Sequence, residues 1–373
     1  MNTQSPNDVG ARFVANWTAY KREVKKIVVG CDDILDLAGI AIFSDGHFLM
    51  EALPGAGKTT IALALSSAIK DGIGGVFQGT ADLLPMDIIG SKAWDPEKKK
   101  LVKQPGAVQD TMNIVVADET NRLAPKTASS LLMVMQERVL NIQGERYPMA
   151  DPFLVIGTQN PIEQEGVYPL PEALLDRFAM KAKLAYLSRD LEIELVRRAA
   201  VYARDQSKAA GIEPVLSVEQ MREMRQYAQE QVAVELAVSA YIIDLVRATR
   251  PELAEFDYMP KQFGRFIEFG ASQRAGLWLT ACSKAHAAMR GSTHVHVEDV
   301  QAVAPVVLGH RLTLTADARF GNKRGLEYDI VAALLDSVPT VGQPPQRELP
   351  VLVDTEIVAT ANPRRRWWQI FGG

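Results

Sequence analysis

A glycine-rich stretch at residues 47–60 has the residue types that hold phosphate groups. Its sequence is HFLMEALPGAGKTT, in which the apolar run at 48–50 predicts a buried strand. The IALALSSAI that follows predicts a buried helix. Gly55 and Gly57 allow backbone N–H groups to converge on a phosphate, because a Cβ at either position would restrict the turns. The sequence therefore predicts a phosphate-binding loop between a strand and a helix.

The end of this loop supplies side chains for a triphosphate and its metal ion. Lys58 would reach the β- and γ-phosphates, and the hydroxyl of Thr59 would coordinate Mg²⁺. The N-terminus of the following helix adds partial positive charge. Ala52 departs from the full pattern, which has glycine at that position. The predicted nucleotide-binding residues are Pro54, Gly55, Ala56, Gly57, Lys58, Thr59 and Thr60.

A second apolar run ends in two adjacent carboxylates. Residues 113–122, NIVVADETNR, predict a strand buried in a parallel sheet, with Asp118 and Glu119 at its carboxyl end. Ligands of α/β sheets bind at this edge. Asp118 suits the coordination shell of Mg²⁺, and Glu119 suits a general base that activates water. Alone the pair could cap the next helix, but with the phosphate-binding loop it predicts triphosphate hydrolysis.

Three more polar residues stand near predicted structural boundaries. Asn160 ends the buried strand DPFLVIGTQN and could hydrogen-bond a phosphate or the attacking water, although asparagine before proline is also a common turn residue. Arg177 follows a Pro-rich turn on a predicted short helix in EGVYPLPEALLDRF, and Arg274 lies in the predicted helix GASQRAGLWLTACSKAHAAMR. Periodicity alone gives Arg177 no role beyond that of a surface residue.

Length and composition indicate an ordinary soluble protein with two domains or one extended domain. The chain has 373 residues, of which 47% are hydrophobic and 23% charged. Its net charge of −4 gives no general attraction to nucleic acid. Two distant cysteines indicate a reducing compartment, and no stretch is apolar enough for a signal core or a membrane span. We therefore expect a cytoplasmic protein.

The rest of the chain predicts two hairpins, a helical region and a tail. Hairpins are predicted at about 91–108, with a lysine-rich turn, and at 139–149. That basic turn is either a solvated turn or a substrate contact. The fold class is α/β, a parallel sheet with helices on both faces plus an all-helical part. Predicted segments are an α/β core at 1–200, an all-helical lid at 201–340 and an extended tail at 341–373.

The predicted tail separates charge from apolar surface within a few residues. It is Pro-rich and ends in NPRRRWWQIFGG. Adjacent arginines and aromatic rings suit the interface of an anionic membrane or a groove on a partner protein. The aromatic residues could instead fold back onto the chain's own surface. We expect a docking peptide, with a protein as its first partner and a membrane as its second.

These motifs together resemble those of the MoxR-family AAA+ ATPases over roughly residues 20–340. The resemblance is carried by GTADLLPMDIIG, ADETNRLAPKT, MQERVLNIQGERYPMADPF, GTQNPIEQEGVYPLPEALLDRF and GASQRA followed by LGHRL. It implies an AAA+ P-loop core with a smaller helical lid, ATP and Mg²⁺ as cofactors, and hydrolysis of ATP to ADP and phosphate. The lid replaces the usual GASPRA by GASQRA.

The resemblance also implies a role for each matching residue. The matches are Lys58 and Thr59 to Walker A, Asp118 and Glu119 to Walker B, Asn160 to sensor 1, Arg177 to the arginine finger and Arg274 to sensor 2. In such rings the finger reaches the nucleotide of the neighbouring subunit, so a homo-oligomeric ring, expected to be a hexamer, is implied. The hairpins match inserts that face the central pore. The implied clients are proteins with von Willebrand factor A domains, which the ring would remodel, activate or mature.

Other functional classes make different predictions. A small-molecule P-loop kinase would lack the helical lid and would be a monomer with ATP. A nucleic-acid motor or loader would use the lysines at 98–100 and would show DNA-stimulated hydrolysis with a steep salt dependence. No sequence-specific nucleic-acid partner is expected. A nucleotide-binding scaffold without turnover is disfavoured because both Asp118 and Glu119 are present.

Overall fold

The chain alternates strands and helices up to residue 183 and is mostly helical after it. The computed structural model describes residues 6–30, 32–51, 58–160, 170, 175–184, 188–202, 211–320 and 325–340. The strands are β1 (Phe48–Glu51), β2 (Ile69–Lys70), β3 (Gly74–Gln78), β4 (Ser91–Asp95), β5 (Lys100–Gln104), β6 (Ile114–Asp118), β7 (Val139–Ile142), β8 (Glu145–Pro148), β9 (Leu154–Gln159), β10 (Met180–Lys183), β11 (Leu216–Ser217), β12 (Ile267–Phe269) and β13 (Thr313–Leu314). The α-helices are α1 (Pro6–Val24), α2 (Asp32–Phe43), α3 (Lys58–Ser67), α4 (Pro85–Ile89), α5 (Pro125–Glu137), α6 (Arg189–Tyr202), α7 (Val218–Gln226), α8 (Leu236–Arg247), α9 (Lys261–Gly264), α10 (Gln273–Met289), α11 (Val297–Leu308), α12 (Ala316–Phe320) and α13 (Leu326–Ser337).

A five-stranded parallel sheet forms the centre of the first part. Its order is β10–β1–β9–β6–β3, so the chain returns to insert β9 between β1 and β6. Because all five strands are parallel, their carboxyl ends lie at one edge of the sheet. The strand before the predicted phosphate-binding loop and the strand that carries the acidic pair both end at that edge.

Both faces of this sheet are buried, as the continuous apolar runs predicted. Phe48, Val116 and Ile156 face one hydrophobic cluster, which contains residues of α1, α2 and α3. Leu49 and Val155 face the other cluster, which contains residues of α5 and of the β7–β8 hairpin. Helices therefore cover both faces, and the predicted α/β class is confirmed.

The two predicted hairpins are present and are linked to each other. β4 pairs with β5, and β7 pairs with β8, both antiparallel. Lys92 Nζ lies 2.6 Å from Glu145 Oε1, and Lys103 Nζ lies 4.3 Å from the centroid of the Tyr147 ring. An ion pair and a cation–π contact thus join the first hairpin to the second.

The helices after residue 211 pack against the first face of the sheet. Side chains of α7, α8, α10, α11 and α13 belong to the same hydrophobic cluster as Phe48. Arg225 of α7 also forms a two-bond ion pair with Asp151, with distances of 2.6 and 2.9 Å, and contacts Asp45 at 3.1 Å. Helix α6 crosses the boundary predicted between residues 200 and 201. The predicted tail at 341–373 lies outside the described residues.

Candidate nucleotide site

The predicted phosphate-binding loop joins β1 to α3 at the carboxyl edge of the sheet. β1 ends at Glu51 and α3 begins at Lys58. The first N–H groups of α3 have no carbonyl partner within the helix and carry its partial positive charge. Thr60 is exposed. Outside the described residues lie Ala52, Pro54, Gly55, Ala56 and Gly57, together with the side chains of Lys58 and Thr59.

The acidic pair and Asn160 stand at the same edge, on neighbouring strands. Asp118 is the last residue of β6, Glu119 follows it, and Asn160 follows β9 directly. β9 lies between β1 and β6, so Asn160 stands between the carboxyl end of β1 and the acidic pair. It is 3% exposed. Carboxylate oxygen, amide and helix N-terminus together suit a Mg²⁺–triphosphate group.

Thr158, which the sequence analysis missed, holds both carboxylate residues. Its hydroxyl donates to Asp118 Oδ1 and accepts a 2.9 Å hydrogen bond from the backbone N–H of Glu119. Glu119 has φ 53° and ψ 49°, a left-handed conformation that costs a residue with a Cβ about 1–2 kcal/mol. Thr158 therefore supports a strained backbone of the kind found at functional sites. The available signal was a hydroxyl inside the apolar run LVIGTQN.

The carboxylate of Glu119 is engaged by two side chains that the sequence analysis also missed. Arg122 Nη1 donates to Glu119 Oε2 at 2.9 Å, and Gln78 Nε2 donates to the same oxygen at 3.3 Å. Gln78 ends β3, the strand next to β6. The ion pair with Arg122 compensates the charge of this carboxylate.

Arg177 and Arg274 lie together, but at the opposite edge of the sheet. Both line a cavity whose wall is formed by Asp45, His47, Met135, Gln136, Arg138, Arg177, Arg274 and Trp278. His47 directly precedes β1, and its carbonyl accepts a 2.8 Å hydrogen bond from Ala179 N–H, directly before β10. Glu51 is four positions after His47, which is roughly 13 Å along a strand. The two arginines are thus far from the carboxyl end of β1, after which the predicted loop begins.

The buried Nε of Arg177 has no hydrogen-bond partner among the described residues. Burial first, and the charge of Arg274 second, lower the pKa of Arg177. Arg274 itself has a partner, because its Nη1 lies 3.2 Å from Asp176 Oδ2. The cavity therefore contains one arginine nitrogen that no described residue engages.

The local structure at Arg177 corrects one expectation. Arg177 lies in a turn before β10 and not on a helix. Arg311 donates to the carbonyls of Asp176 and Phe178, on either side of it. Residues 171–174, where most of the predicted short helix would fall, lie outside the described residues.

Comparison with known proteins identifies the family. Residues 47–180 match the ATPase family associated with various cellular activities (AAA), and residues 264–329 match the AAA lid domain. Over 301 residues the chain is 39% identical to Chaperone MoxR1 of Mycobacterium tuberculosis (strain ATCC 25618 / H37Rv), covering 79% of this chain and 75% of that protein. The chain belongs to the MoxR family of AAA+ ATPases.

Two further relatives agree with this membership. The uncharacterised protein YeaC of Bacillus subtilis (strain 168) is 33% identical over 297 residues, which cover 80% of this chain and 87% of YeaC. The crystal structure of a proposed ATPase from Cytophaga hutchinsonii ATCC 33406 superposes with a TM-score of 0.79 at 33% identity. That match covers 89% of this chain and 97% of the other. The predicted AAA+ core with a helical lid is confirmed for this MoxR-type ATPase.

No helix in the described part of the chain has the length and hydropathy needed to cross a bilayer.

His47 links the arginine cavity to the fold and should make stability depend on pH. Its Nδ1 accepts from Val155 N–H at 3.0 Å, and its Nε2–H donates to Met135 O at 3.1 Å. Burial first, and Arg138 second, hold the pKa of His47 well below its ordinary value of 6.5. At this histidine the unfolded chain therefore binds a proton that the folded chain does not bind. The free energy of unfolding falls as pH drops below 6.5.

We expect the free energy of unfolding to fall by about 1 kcal/mol from this histidine between pH 6.5 and 5.5. His47→Gln keeps an amide donor and acceptor but cannot titrate. It should therefore reduce the slope of the free energy of unfolding against pH. Exposed His294 is the matched control, and His294→Gln should leave the slope unchanged. Urea unfolding at several pH values measures this slope for the parent and for both variants. Equal slopes in parent and His47→Gln would contradict the assignment.

Proposed function

We propose that this chain hydrolyses ATP to ADP and phosphate with Mg²⁺, as part of a homo-oligomeric ring, a hexamer. The ring would use hydrolysis to remodel, activate or mature partner proteins. The observation that supports this most directly is the division of candidate residues between two edges of one sheet. Asp118, Glu119 and Asn160 lie at the carboxyl edge, and Arg177 and Arg274 lie at the amino edge. A second copy of the chain can bring the two sets together.

At the carboxyl edge, each group has a separate task in this proposal. Bound Mg²⁺–ATP supplies the phosphoryl group that water attacks. The backbone N–H groups of Gly55, Ala56 and Gly57 bind the phosphates together with Lys58 and Thr60, and Thr59 and Asp118 hold the metal ion. Glu119 accepts the proton of the attacking water, and Asn160 orients that water.

At the amino edge, Arg177 and Arg274 act on the nucleotide of the neighbouring subunit. Phosphoryl transfer gains most from charge placed against the developing oxyanions. Two observations support this role for both arginines: no described residue hydrogen-bonds the Nε of Arg177, and Arg274 lines the same cavity. Arg274 is thereby proposed to act across the interface, not on the nucleotide of its own subunit.

Proteins with von Willebrand factor A domains are the proposed clients. The similarity to a relative named Chaperone MoxR1 supports a function that acts on other proteins. The linked hairpins are the proposed pore-facing surface, and the tail at 341–373 is a proposed docking peptide. The buried free thiol of Cys282 fits a proposed cytoplasmic location. DNA-stimulated hydrolysis with a steep salt dependence would instead favour a nucleic-acid motor.

Lys58→Ala tests nucleotide binding at the loop. We expect it to lose binding of a fluorescent ATP analogue, because the β- and γ-phosphates lose their fixed positive charge. Lys70→Ala, at an exposed lysine in β2, is the matched control and should bind like the parent. Equal affinity of Lys58→Ala and the parent would argue against the loop as the nucleotide site. Capture of clients on an ATP-bound Glu119→Gln ring then tests the partner class.

A further inference from the structure

One arginine of the lid holds the backbone that carries Arg177. Arg311 Nε lies 3.0 Å from Asp176 Oδ1, and its Nη2 lies 3.0 Å from Asp176 O and 2.7 Å from Phe178 O. Nη1 lies 3.2 Å from Ala179 O and also donates to Val307 O of α11. All five N–H groups of the guanidinium are used. Four of the five acceptors belong to residues 176–179.

The burial of Arg311 suggests a task other than stability. Its side chain is 1% exposed, and burial lowers the pKa to about 10, so the group stays charged at neutral pH. Replacing a buried ion pair by apolar residues is often neutral or stabilising. A planar guanidinium instead fixes the orientation of the groups that accept its hydrogen bonds, because its donors form a rigid fork. Here the fork fixes the carbonyls on both sides of Arg177.

Asp176 connects this fork to the second arginine of the cavity. Its carboxylate accepts from Arg311 Nε at 3.0 Å, from Arg274 Nη1 at 3.2 Å and from Ser272 Oγ at 3.0 Å. Ser272 caps α10, the helix that carries Arg274. A single carboxylate thus joins the turn of Arg177, the start of α10 and the end of α11. A shift of the lid would move both arginines of the cavity together.

We propose that Arg311 is a positioning residue, which acts through Asp176 and the backbone at 176–179 to aim Arg177 at the nucleotide of the neighbouring subunit. This inference rests on the proposed role of Arg177. It also makes Arg311 the point at which lid movement reaches the arginine finger. In the part of the chain that the structure describes, the hydrogen bonds of Arg311 go to residues 176–179 and to Val307, so we propose no catalytic role for it.

Arg311→Lys tests the inference, because lysine keeps the charge but lacks the fork. We expect kcat to fall about 10- to 100-fold, as small displacements of catalytic groups do, with the affinity for ATP unchanged. Arg290→Met is the matched control: Arg290 pairs with buried Asp299 inside the lid and makes no contact with residues 176–179. It should lower Tm but leave kcat near the parent value below Tm. A similar kcat loss in both variants at matched loss of Tm would reduce Arg311 to a structural role and overturn the proposal.

A double-mutant cycle separates this inference from the proposed function. Arg311→Lys should lower kcat far less in an Arg177→Ala background than in the parent. Equal losses in both backgrounds would overturn the positioning role while leaving the arginine finger intact. If Arg177→Ala alone leaves kcat unchanged, the finger assignment fails and the inference fails with it. Should Arg311→Lys not fold, Asp176→Asn, which weakens the same junction, is put through the same cycle with the same two outcomes.

Discussion

Arg177→Ala is expected to bind ATP normally and to hydrolyse it ~10³-fold more slowly, or slower still. Normal binding follows because Arg177 lies at the amino edge of the sheet, away from the loop of its own chain. Loss of turnover follows because the charge that develops on the transferred phosphoryl group loses its partner. Steady-state hydrolysis and equilibrium binding of an ATP analogue measure the two parts separately. Arg197→Ala, at an exposed arginine of α6, is the control and should match the parent.

Mixed rings test whether this arginine acts across a subunit interface. Lys58→Ala subunits have an intact Arg177, and Arg177→Ala subunits have an intact loop. Mixing the two should restore part of the activity, because some interfaces then pair an intact loop with an intact arginine. Arg274→Ala should be rescued by Lys58→Ala in the same way, since Arg274 shares the cavity of Arg177. No rescue in rings with demonstrated subunit exchange would indicate arginines that act within their own chain.

Glu119→Gln is expected to keep ATP binding and to lose turnover by ~10²- to 10⁴-fold. The amide has nearly the shape of the carboxylate but cannot accept the proton of water. Thr158 holds the backbone N–H of Glu119, which the substitution does not change, so the local turn should persist. Single-turnover hydrolysis and ATP-analogue binding are the measurements.

Glu137→Gln is the matched control for this substitution. Glu137 is exposed at the end of α5, on the helix that follows the acidic pair, and its variant should hydrolyse ATP like the parent. Near-parent turnover by Glu119→Gln would show that another group accepts the proton. Loss of ATP binding by Glu119→Gln would show that the substitution disturbs the nucleotide site as a whole and not only the proton transfer.

The sequence by itself determined which strands end in candidate functional groups. The apolar runs before Lys58, Asp118 and Asn160 each have the length of a buried strand. Buried parallel strands end at one edge, so these groups had to gather there. The helical composition after residue 190 likewise predicted the second part of the chain. Both conclusions depend on local patterns, which a single sequence shows directly.

Only the tertiary structure decided which residues support the site and where the arginines stand. Gln78 meets Glu119 across 41 residues, and Arg311 meets Asp176 across 135. Such contacts depend on strand order and on how the lid packs, and periodicity does not report either. Arg177 and Arg274 each resemble ordinary surface arginines in sequence, yet packing of the lid on the sheet brings them into one cavity at the amino edge. Their shared position follows from burial of one hydrophobic cluster by both parts of the chain.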